Sequence, residues 1–426
     1  MIGGTARMDR DTFRDIVEEH LVPLFSGAVL EPGFFPSTSR CSTVRYRTIV
    51  CLELKPRKQN DWCLRVSRSQ PFTQIQTGLV TEHGIASSFV DGLAGMPTGF
   101  ETGPFRDDLL AHYARRVAAS TVCPEGVDTS SFLQALDWLD TWSSRLYEGQ
   151  PIVAAVGFQR GDTQSDVFLG EVWAEDFGAV LTNAYDTMAI ASYSGALIEY
   201  VSLPRPKVIP GYAPHRLAEI AEWTNDEAGR VALALNRSGD ILVIRQGQLV
   251  FARRNGRWHF LSHEPVITQM GAPQDRDVRR AVYASCLDAS FARTGACIGV
   301  LCSNDSAKLN RIAPEAGDHL MPAVSSKARA LARAIKGRKF QEMDRRLRQE
   351  LLAIDGATIL DHEGRILAVG AILRVPGGSV GGGRRAAAIA LSVYGVGIKV
   401  SQDGGIEGFH RSADGNTEKL AFRLMK

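Results

Sequence analysis

The chain has 426 residues, of which 44% are hydrophobic and 23% charged, the composition of an ordinary globular protein rather than a disordered or fibrous one. Its length exceeds what one hydrophobic core usually organises, so two or three domains are expected. The formal net charge of +2 excludes a strong overall field that would draw the protein to nucleic acid or an anionic membrane, so any anion binding must be local.

No segment predicts membrane insertion, export or a cysteine-based zinc site. The first 20 residues lack an apolar core of signal-peptide length, and no later run is apolar for long enough to cross a bilayer. We therefore expect a cytoplasmic protein that does not contact a membrane. The seven cysteines form no C-x-x-C pair, which predicts free thiols rather than a disulfide framework or a zinc site.

Residues 1–125 are expected to form an α+β module. Apolar residues between Phe13 and Leu21 follow the three-and-four spacing of an amphipathic helix that begins after Asp9 or Asp11. The runs "TVRYRTIVCLEL" and "WCLRVS" are rich in β-branched and aromatic residues and predict strands. This region contains no motif that indicates a chemistry.

Residues 126–203 are expected to form an αβ module of their own. Ser130 or Ser131 can cap a helix with one apolar face, and "IVAAVGF" then predicts a buried strand. The following segment predicts further strands, joined by turns at residues 183–186 and 194–195.

Four prolines within a dozen residues predict a stiff linker over residues 204–214 and a domain boundary there. Beyond it, residues 215–426 are predicted to form an α/β domain with a mixed central sheet flanked by helices. The run from residue 230 to residue 261 predicts an antiparallel meander, and a helix that leads into a buried strand follows.

A helix predicted over residues 325–352 carries nine Lys and Arg residues. Such a run could bind nucleic acid, but charged runs on helices are usually solvated faces. Only Phe340 is near enough in sequence to stack on a base, so we do not expect a nucleic-acid partner.

Two motifs after this helix together predict a nucleotide site. Asp355 stands between an apolar helix end and an apolar strand, where a plain Asp-Gly turn would also fit. The glycine-rich segment Gly377–Gly383 follows a strand and opens a helix, so that main-chain N–H groups, the helix dipole, Arg384 and Arg385 could converge on phosphate. Alone, this segment fits a hairpin loop with solvated arginines equally well. An aspartate at the phosphate end of a site can hold a divalent cation and orient or deprotonate a hydroxyl, and its presence favours the site.

These motifs resemble those of the diadenylate cyclase domain, the DisA-N fold, whose patterns are D-G-A and G-T-R-H-R-A-A. The first pattern is matched by Asp355, Gly356 and Ala357. The second is matched by Gly381, Arg385, Ala386 and Ala387. Gly382 stands in place of the hydroxyl residue, Gly383 in place of the first arginine and Arg384 in place of the histidine.

The resemblance implies separate roles for the two motifs in the site. In active cyclases the side chains missing here hold the triphosphate, while the aspartate with Mg²⁺ or Mn²⁺ prepares the ribose 3′-hydroxyl. Upstream segments such as "RLYEGQPIVAAVGF" and "CLDASFARTGACIGVL" are similar to a variant family, DACNV, described as a probable sensor domain. The resemblance covers roughly residues 130 to 410 and implies a sensor of a purine nucleotide or nucleotide second messenger.

Three functions are compatible with this pattern. In the sensor hypothesis, Asp355 contacts ribose or a cation, and Gly356 and Ala357 permit close approach of the base or sugar. Arg384 and Arg385 hold phosphate. They do so together with the main chain of Gly377–Gly383, which includes Gly381, Gly382 and Gly383. The alternative is an active diadenylate cyclase that condenses two ATP molecules across a head-to-head homodimer. A third is a partner-binding protein with a vestigial site. The altered second pattern favours sensing.

Two further patterns have weaker chemical interpretations. "GGSVG" at residues 377–381 matches the hydrolase pattern G-x-S-x-G, but Pro376 is incompatible with the tight strand-to-helix turn that this chemistry needs. His259 and His263 have the spacing of helical metal ligands, yet we expect them at a strand end as hydrogen-bonded surface residues.

Overall fold

The computed structural model divides the chain into two units, neither of which is continuous in sequence. Unit 1 comprises Met1–Pro210 and Leu217–Pro265, and unit 2 comprises Gly211–Arg216 and Val266–Lys426. The structure describes residues 8–25, 27–36, 48–54, 62–68, 71–73, 80–94, 104–161, 165–175, 177–181, 187–206, 211–226, 229–271, 275–303, 306–375, 382–411 and 418–425.

The described helices of unit 1 are α1 (Arg10–Ile16), α2 (Glu82–Ala94), α3 (Pro104–Val122), α4 (Ser130–Ser143), α5 (Leu169–Ala174), α6 (Gly178–Leu181) and α7 (Ala218–Asp226). Its described strands are β1 (Val29–Leu30), β2 (Phe35–Pro36), β3 (Ile49–Leu52), β4 (Trp62–Ser67), β5 (Leu146–Tyr147), β6 (Gln150–Pro151), β7 (Ala154–Gln159), β8 (Thr187–Ser192), β9 (Leu197–Ser202), β10 (Val231–Leu235), β11 (Ile241–Arg245), β12 (Gln248–Arg254) and β13 (Arg257–Phe260). Helix α8 (His263–Gln269) follows.

The predicted first helix is confirmed. Helix α1 begins after Asp9, whose carboxylate accepts a hydrogen bond from the main-chain N–H of Thr12, because the first N–H groups of a helix have no partner within it. Phe13 and Ile16 are buried on one face, as their spacing predicts. The strands that follow it form a small antiparallel sheet in the order β1-β4-β2, with β3 also paired to β4.

The main sheet of unit 1 has seven described strands in the order β13-β12-β11-β10-β7-β8-β9. Strands β7 and β8 are parallel, and the other neighbours are antiparallel. The predicted meander is therefore confirmed as β10 to β13. The segment at Gly178–Leu181, predicted as strand, is the short helix α6, and the turn predicted at residues 183–186 lies outside the described residues.

The domain boundary predicted at residues 204–214 differs from the structure. Strand β10 follows that segment but pairs with β7 before it, from Val231 opposite Phe158 to Leu235 opposite Ala154. One sheet therefore takes strands from both sides of the proline-rich segment. The separate modules 1–125 and 126–203 also share one hydrophobic core, which contains side chains from α1, α4 and β10 alike. The reason is that each of these elements can bury its apolar face only against the others.

The described helices of unit 2 are α9 (Arg276–Ala292), α10 (Ser306–Ile312), α11 (Ser326–Ile335), α12 (Arg345–Ala353) and α13 (Gly383–Ser392). Its described strands are β14 (Ala296–Leu301), β15 (Ala357–Leu360), β16 (Ile366–Ala371), β17 (Gly395–Val400), β18 (Ile406–Arg411) and β19 (Glu418–Leu424).

The sheet of unit 2 is mixed and has helices on both faces. Its strand order is β16-β15-β14-β17-β18-β19, with β14 and β15 parallel and the other neighbours antiparallel. Leu391 of α13 packs against Gly299 on one face. On the other face the hydroxyl of Thr358 donates to the carbonyl oxygen of Leu351 in α12. The predicted α/β class, with a mixed central sheet flanked by helices, is confirmed.

The single long helix predicted over residues 325–352 is wrong. Helix α11 ends where Lys336 and Gly337 adopt positive φ, and a 3-10 turn separates it from α12. The basic residues are also not uniformly solvated. Arg345 is buried and donates to both carboxylate oxygens of Asp288 in α9. Burial lowers the pKa of Arg348 to about 10.

Six cysteines fall within the described residues, and no disulfide joins any two of them: Cys51, Cys63, Cys123, Cys286, Cys297 and Cys302. Cys41 lies outside the described residues. Of the described helices, none is both long and apolar enough to span a bilayer.

Candidate functional site

Asp355 lies in the short connection between α12 and β15, and its side chain is exposed. The next residue, Gly356, has a φ of +103°, and a Cβ atom there would lie 2.5 Å from the carbonyl carbon of Gly370 in β16. Ala357 is buried in the core beneath α13. The close approach that Gly356 permits is therefore to the neighbouring strand, and packing within the sheet accounts for both small residues.

The second motif lies at the start of α13. Its N-cap residue, Gly382, is exposed, has a φ of +91° and provides no side-chain hydrogen bond to the helix. The carbonyl oxygen of Gly382 accepts from the N–H groups of Arg385 and Ala386, each at 3.1 Å. The N–H groups before Arg385 carry the positive end of the helix dipole outward. Gly381 and the preceding residues 376–380, including the G-x-S-x-G pattern, lie outside the described residues.

Arg384 and Arg385 take different directions from the first turn of α13. A Cβ atom built on Gly295, just before β14, would lie 3.1 Å from Nη1 of Arg384, so this guanidinium group lies against the start of β14. The guanidinium carbon of Arg385 lies 5.3 Å from the centre of the Phe409 ring in β18. Arg384 is therefore the arginine at the start of the two parallel strands.

Strand register brings the two motifs to one edge of the sheet. In the parallel pair β14 and β15, Ile298 is opposite Thr358. The same offset, extended back three residues along both chains, brings Gly295 opposite Asp355. Neighbouring strands are about 4.8 Å apart. The guanidinium group of Arg384 lies against Gly295, and Asp355 lies in the turn just before the adjacent strand β15. Asp355 and Arg384 are thus both at the start of the parallel pair of strands.

A further cation at this edge was missed by sequence reasoning. Nζ of Lys327 in α11 lies 2.7 Å from Oδ1 of Asp318 and 2.9 Å from the carbonyl oxygen of Gly370, the residue against which Gly356 packs. In the sequence Lys327 is one of nine basic residues in a run. No local signal separates it from the others, because its two partners, Asp318 and Gly370, lie outside the basic run.

The described residues contain no group of three or more His, Cys, Asp and Glu side chains that could hold a metal ion. The two spaced histidines are buried, so the prediction of surface residues is wrong. His263 is the first residue of α8, and its Nε2 lies 2.8 Å from the carbonyl oxygen of Leu249 in β12. Burial lowers the pKa of His259 and of His263 to about 4 each. Burial and this hydrogen bond account for His263, and His259 is buried in β13.

Similarity to known proteins does not assign the chain to a family. No family model matches it. No curated protein matches it. Among solved structures, a hypothetical membrane spanning protein from Bacillus cereus matches 35% of this chain over 73% of its own length, with 17% sequence identity and a TM-score of 0.23. A similarity of this size carries no argument about fold or function.

Proposed function

We propose that unit 2 binds a purine nucleotide or a nucleotide second messenger at the sheet edge formed by Asp355, Arg384 and the first turn of α13. The observation that supports the proposal best is the convergence of the two motifs. The register of β14 and β15 sets Asp355 beside Gly295, and Arg384 lies against Gly295. In the sequence, 28 residues separate these two charged groups.

Each group has a distinct task in this proposal. The N–H groups of the first turn of α13 and the guanidinium group of Arg384 hold phosphate. Asp355 orients a ribose hydroxyl, or it holds Mg²⁺ or Mn²⁺ that the phosphate oxygens also ligate, because one carboxylate alone is a weak cation site. Arg385 adds positive charge from its place over Phe409 but is expected to contribute less.

We favour a cytoplasmic sensor over an active cyclase for a geometric reason. Nucleotidyl transfer needs the triphosphate and the attacking hydroxyl held in near-attack geometry, and a displacement of about 1 Å can reduce the rate roughly a hundredfold. Gly382 and Gly383 have no side chains with which to hold a triphosphate. Binding tolerates looser geometry because main-chain amides and an arginine suffice to attract phosphate.

Calorimetric titration with ATP, ADP and cyclic di-AMP in Mg²⁺ tests the proposal. Arg384→Gln and Asp355→Asn should each weaken binding about tenfold, since a charge-assisted hydrogen bond contributes roughly 1.5–3 kcal/mol. Arg365→Gln is the matched control, because Arg365 is an arginine of the same unit paired with Glu363 at the far end of β15.

Three outcomes would overturn the proposal. If none of these nucleotides binds, the sensor function is wrong. If the wild-type protein with Mn²⁺ converts ATP to cyclic di-AMP at ordinary enzyme rates, the protein is a diadenylate cyclase, and a head-to-head homodimer should then form. Equal loss of binding in the Arg365→Gln variant would show a general effect of charge and not a site.

A further inference from the structure

The ammonium group of Lys327 is held beside the Asp355 turn by two fixed acceptors. It lies 2.7 Å from Oδ1 of Asp318 and 2.9 Å from the carbonyl oxygen of Gly370. Oδ2 of Asp318 in turn accepts from the main-chain N–H of Ile372 at 3.3 Å. These contacts fix the ammonium group at the end of β16, whereas most surface lysines have flexible side chains.

Gly370 joins this lysine to the proposed site. A Cβ atom on Gly370 would lie 2.8 Å from the carbonyl oxygen of Asp355 and 2.9 Å from Nζ of Lys327. The carbonyl oxygen of Asp355 and the ammonium group of Lys327 therefore both lie within about 3 Å of the position that a side chain at residue 370 would occupy. Three charged residues therefore follow the strand order at this edge of the sheet. Lys327 is at β16, Asp355 is just before β15, and Arg384 is at the start of β14.

The charge and exposure of Lys327 fit a ligand contact. An ammonium group has three N–H donors, and its contacts with Asp318 and Gly370 use two of them. The side chain is 39% exposed, so the group is reachable from solvent. Because the side chain is already ordered, binding an anion there loses less conformational entropy than binding by a free lysine does.

We propose that Lys327 is a phosphate-contacting residue of the nucleotide site and that it favours ligands with several phosphate groups over nucleosides and monophosphates. This inference rests on the proposed function and adds a residue and a ligand preference to it. Lys327 contacts β16, Arg384 lies against the residue before β14, and Asp355 precedes the strand β15 that lies between these two strands. We infer that a chain of phosphates spans both cations, whereas a single phosphate reaches one.

The test compares ATP with AMP, by calorimetry in Mg²⁺, in four proteins. Lys327→Met should raise the dissociation constant of ATP about tenfold and that of AMP less than about twofold, since the removed contact is one charged hydrogen bond at a partly exposed position. Lys327→Arg should keep most of the preference for ATP. Lys339→Met is the matched control, because Lys339 is 37% exposed and is paired with Glu363 in the turn at the opposite end of β15.

A second readout separates a phosphate contact from a purely structural role. Raising the KCl concentration should weaken ATP binding less steeply in Lys327→Met than in the wild type, because one screened attraction is missing. The inference is wrong if Lys327→Met leaves ATP binding unchanged, or if it weakens ATP and AMP by the same factor. If the wild type binds neither ATP nor AMP, the inference is wrong, and the proposed function fails as well if ADP and cyclic di-AMP also do not bind.

Discussion

His259 and His263 make the stability of unit 1 depend on pH. Burial lowers the pKa of both to about 4, whereas an unfolded histidine titrates near 6.5. Between these values the unfolded chain binds protons that the folded chain does not. The free energy of unfolding should therefore fall as the pH is lowered from about 6.5 towards 4, by roughly 1.4 kcal/mol per pH unit for each histidine.

The tryptophans give a clean measurement of this effect. All six lie at positions between 62 and 258, and therefore in unit 1. Urea unfolding followed by tryptophan fluorescence at pH 7, 6 and 5 should show the loss, and His263→Gln should reduce the pH slope by about one proton. Identical slopes in the wild type and the variant would show that His263 is protonated in the folded state.

Gly356 shows what the sequence could and could not reveal at a single residue. The Asp-Gly turn before an apolar run was readable from the sequence, and so was the need for a residue without a side chain. The residue that packs against Gly356 could not be predicted from the sequence. It is Gly370, 14 positions later, and only the pairing of β15 with β16 brings the two together. Lys327 could not be predicted as part of the site for the same reason, because its contact with Gly370 also joins residues distant in sequence.

At the scale of elements, α13 depends on two glycines in the strands beneath it. A Cβ atom on Gly397 in β17 would lie 1.8 Å from the carbonyl oxygen of Ala388, and one on Gly299 in β14 would lie 2.5 Å from Cδ2 of Leu391. The helix therefore sits close to the sheet, which sets the height of its first turn and of Arg384 above Gly295.

Gly397→Ala should push α13 away from the sheet. The new methyl group meets a main-chain atom that cannot turn aside, so we expect a loss of about 3 kcal/mol in the stability of unit 2, together with weaker nucleotide binding. The change should appear in the urea transition that circular dichroism detects and tryptophan fluorescence does not. Gly383→Ala is the control for stability alone, since nothing lies within 4 Å of a Cβ atom there. Equal stability of Gly397→Ala and wild type would contradict the close packing.

The sequence predicts some elements near this site better than others. Helix α9 leading into β14 was predicted because apolar periodicity changes to a continuous apolar run. The break between α11 and α12 was missed, although Gly337 directly after a helical pattern is a usual termination signal. The nine basic residues give the whole stretch one continuous charged pattern, which obscures the end of the first helix.

At the scale of the whole molecule, the proline-rich segment does not separate two folding units. Prolines predict where a strand cannot continue, but they do not show which later strand returns to the same sheet. Sheet partners distant in sequence are set by tertiary packing, so the pairing of β7 with β10 could not be derived from local patterns.

This architecture predicts which fragments fold. A fragment of residues 1–265 should unfold cooperatively in urea with native tryptophan emission, because it keeps all seven strands of the main sheet. A fragment of residues 1–203 lacks β10 to β13 and leaves the buried strand β7 unpaired on one side. It should aggregate or unfold without a sharp transition. A cooperative, monomeric 1–203 fragment would contradict the assignment of the sheet.

Hydrogen exchange with and without ATP and Mg²⁺, read by mass spectrometry on the full chain, tests most directly whether the two motifs form one nucleotide site. With ATP at saturation, we predict slower exchange in peptides that cover residues 354–357 and 382–386 together. Peptides that cover β10 and β11 in unit 1 should not change. Slower exchange confined to unit 1, or at only one of the two motifs, would contradict a shared site at this edge of the sheet.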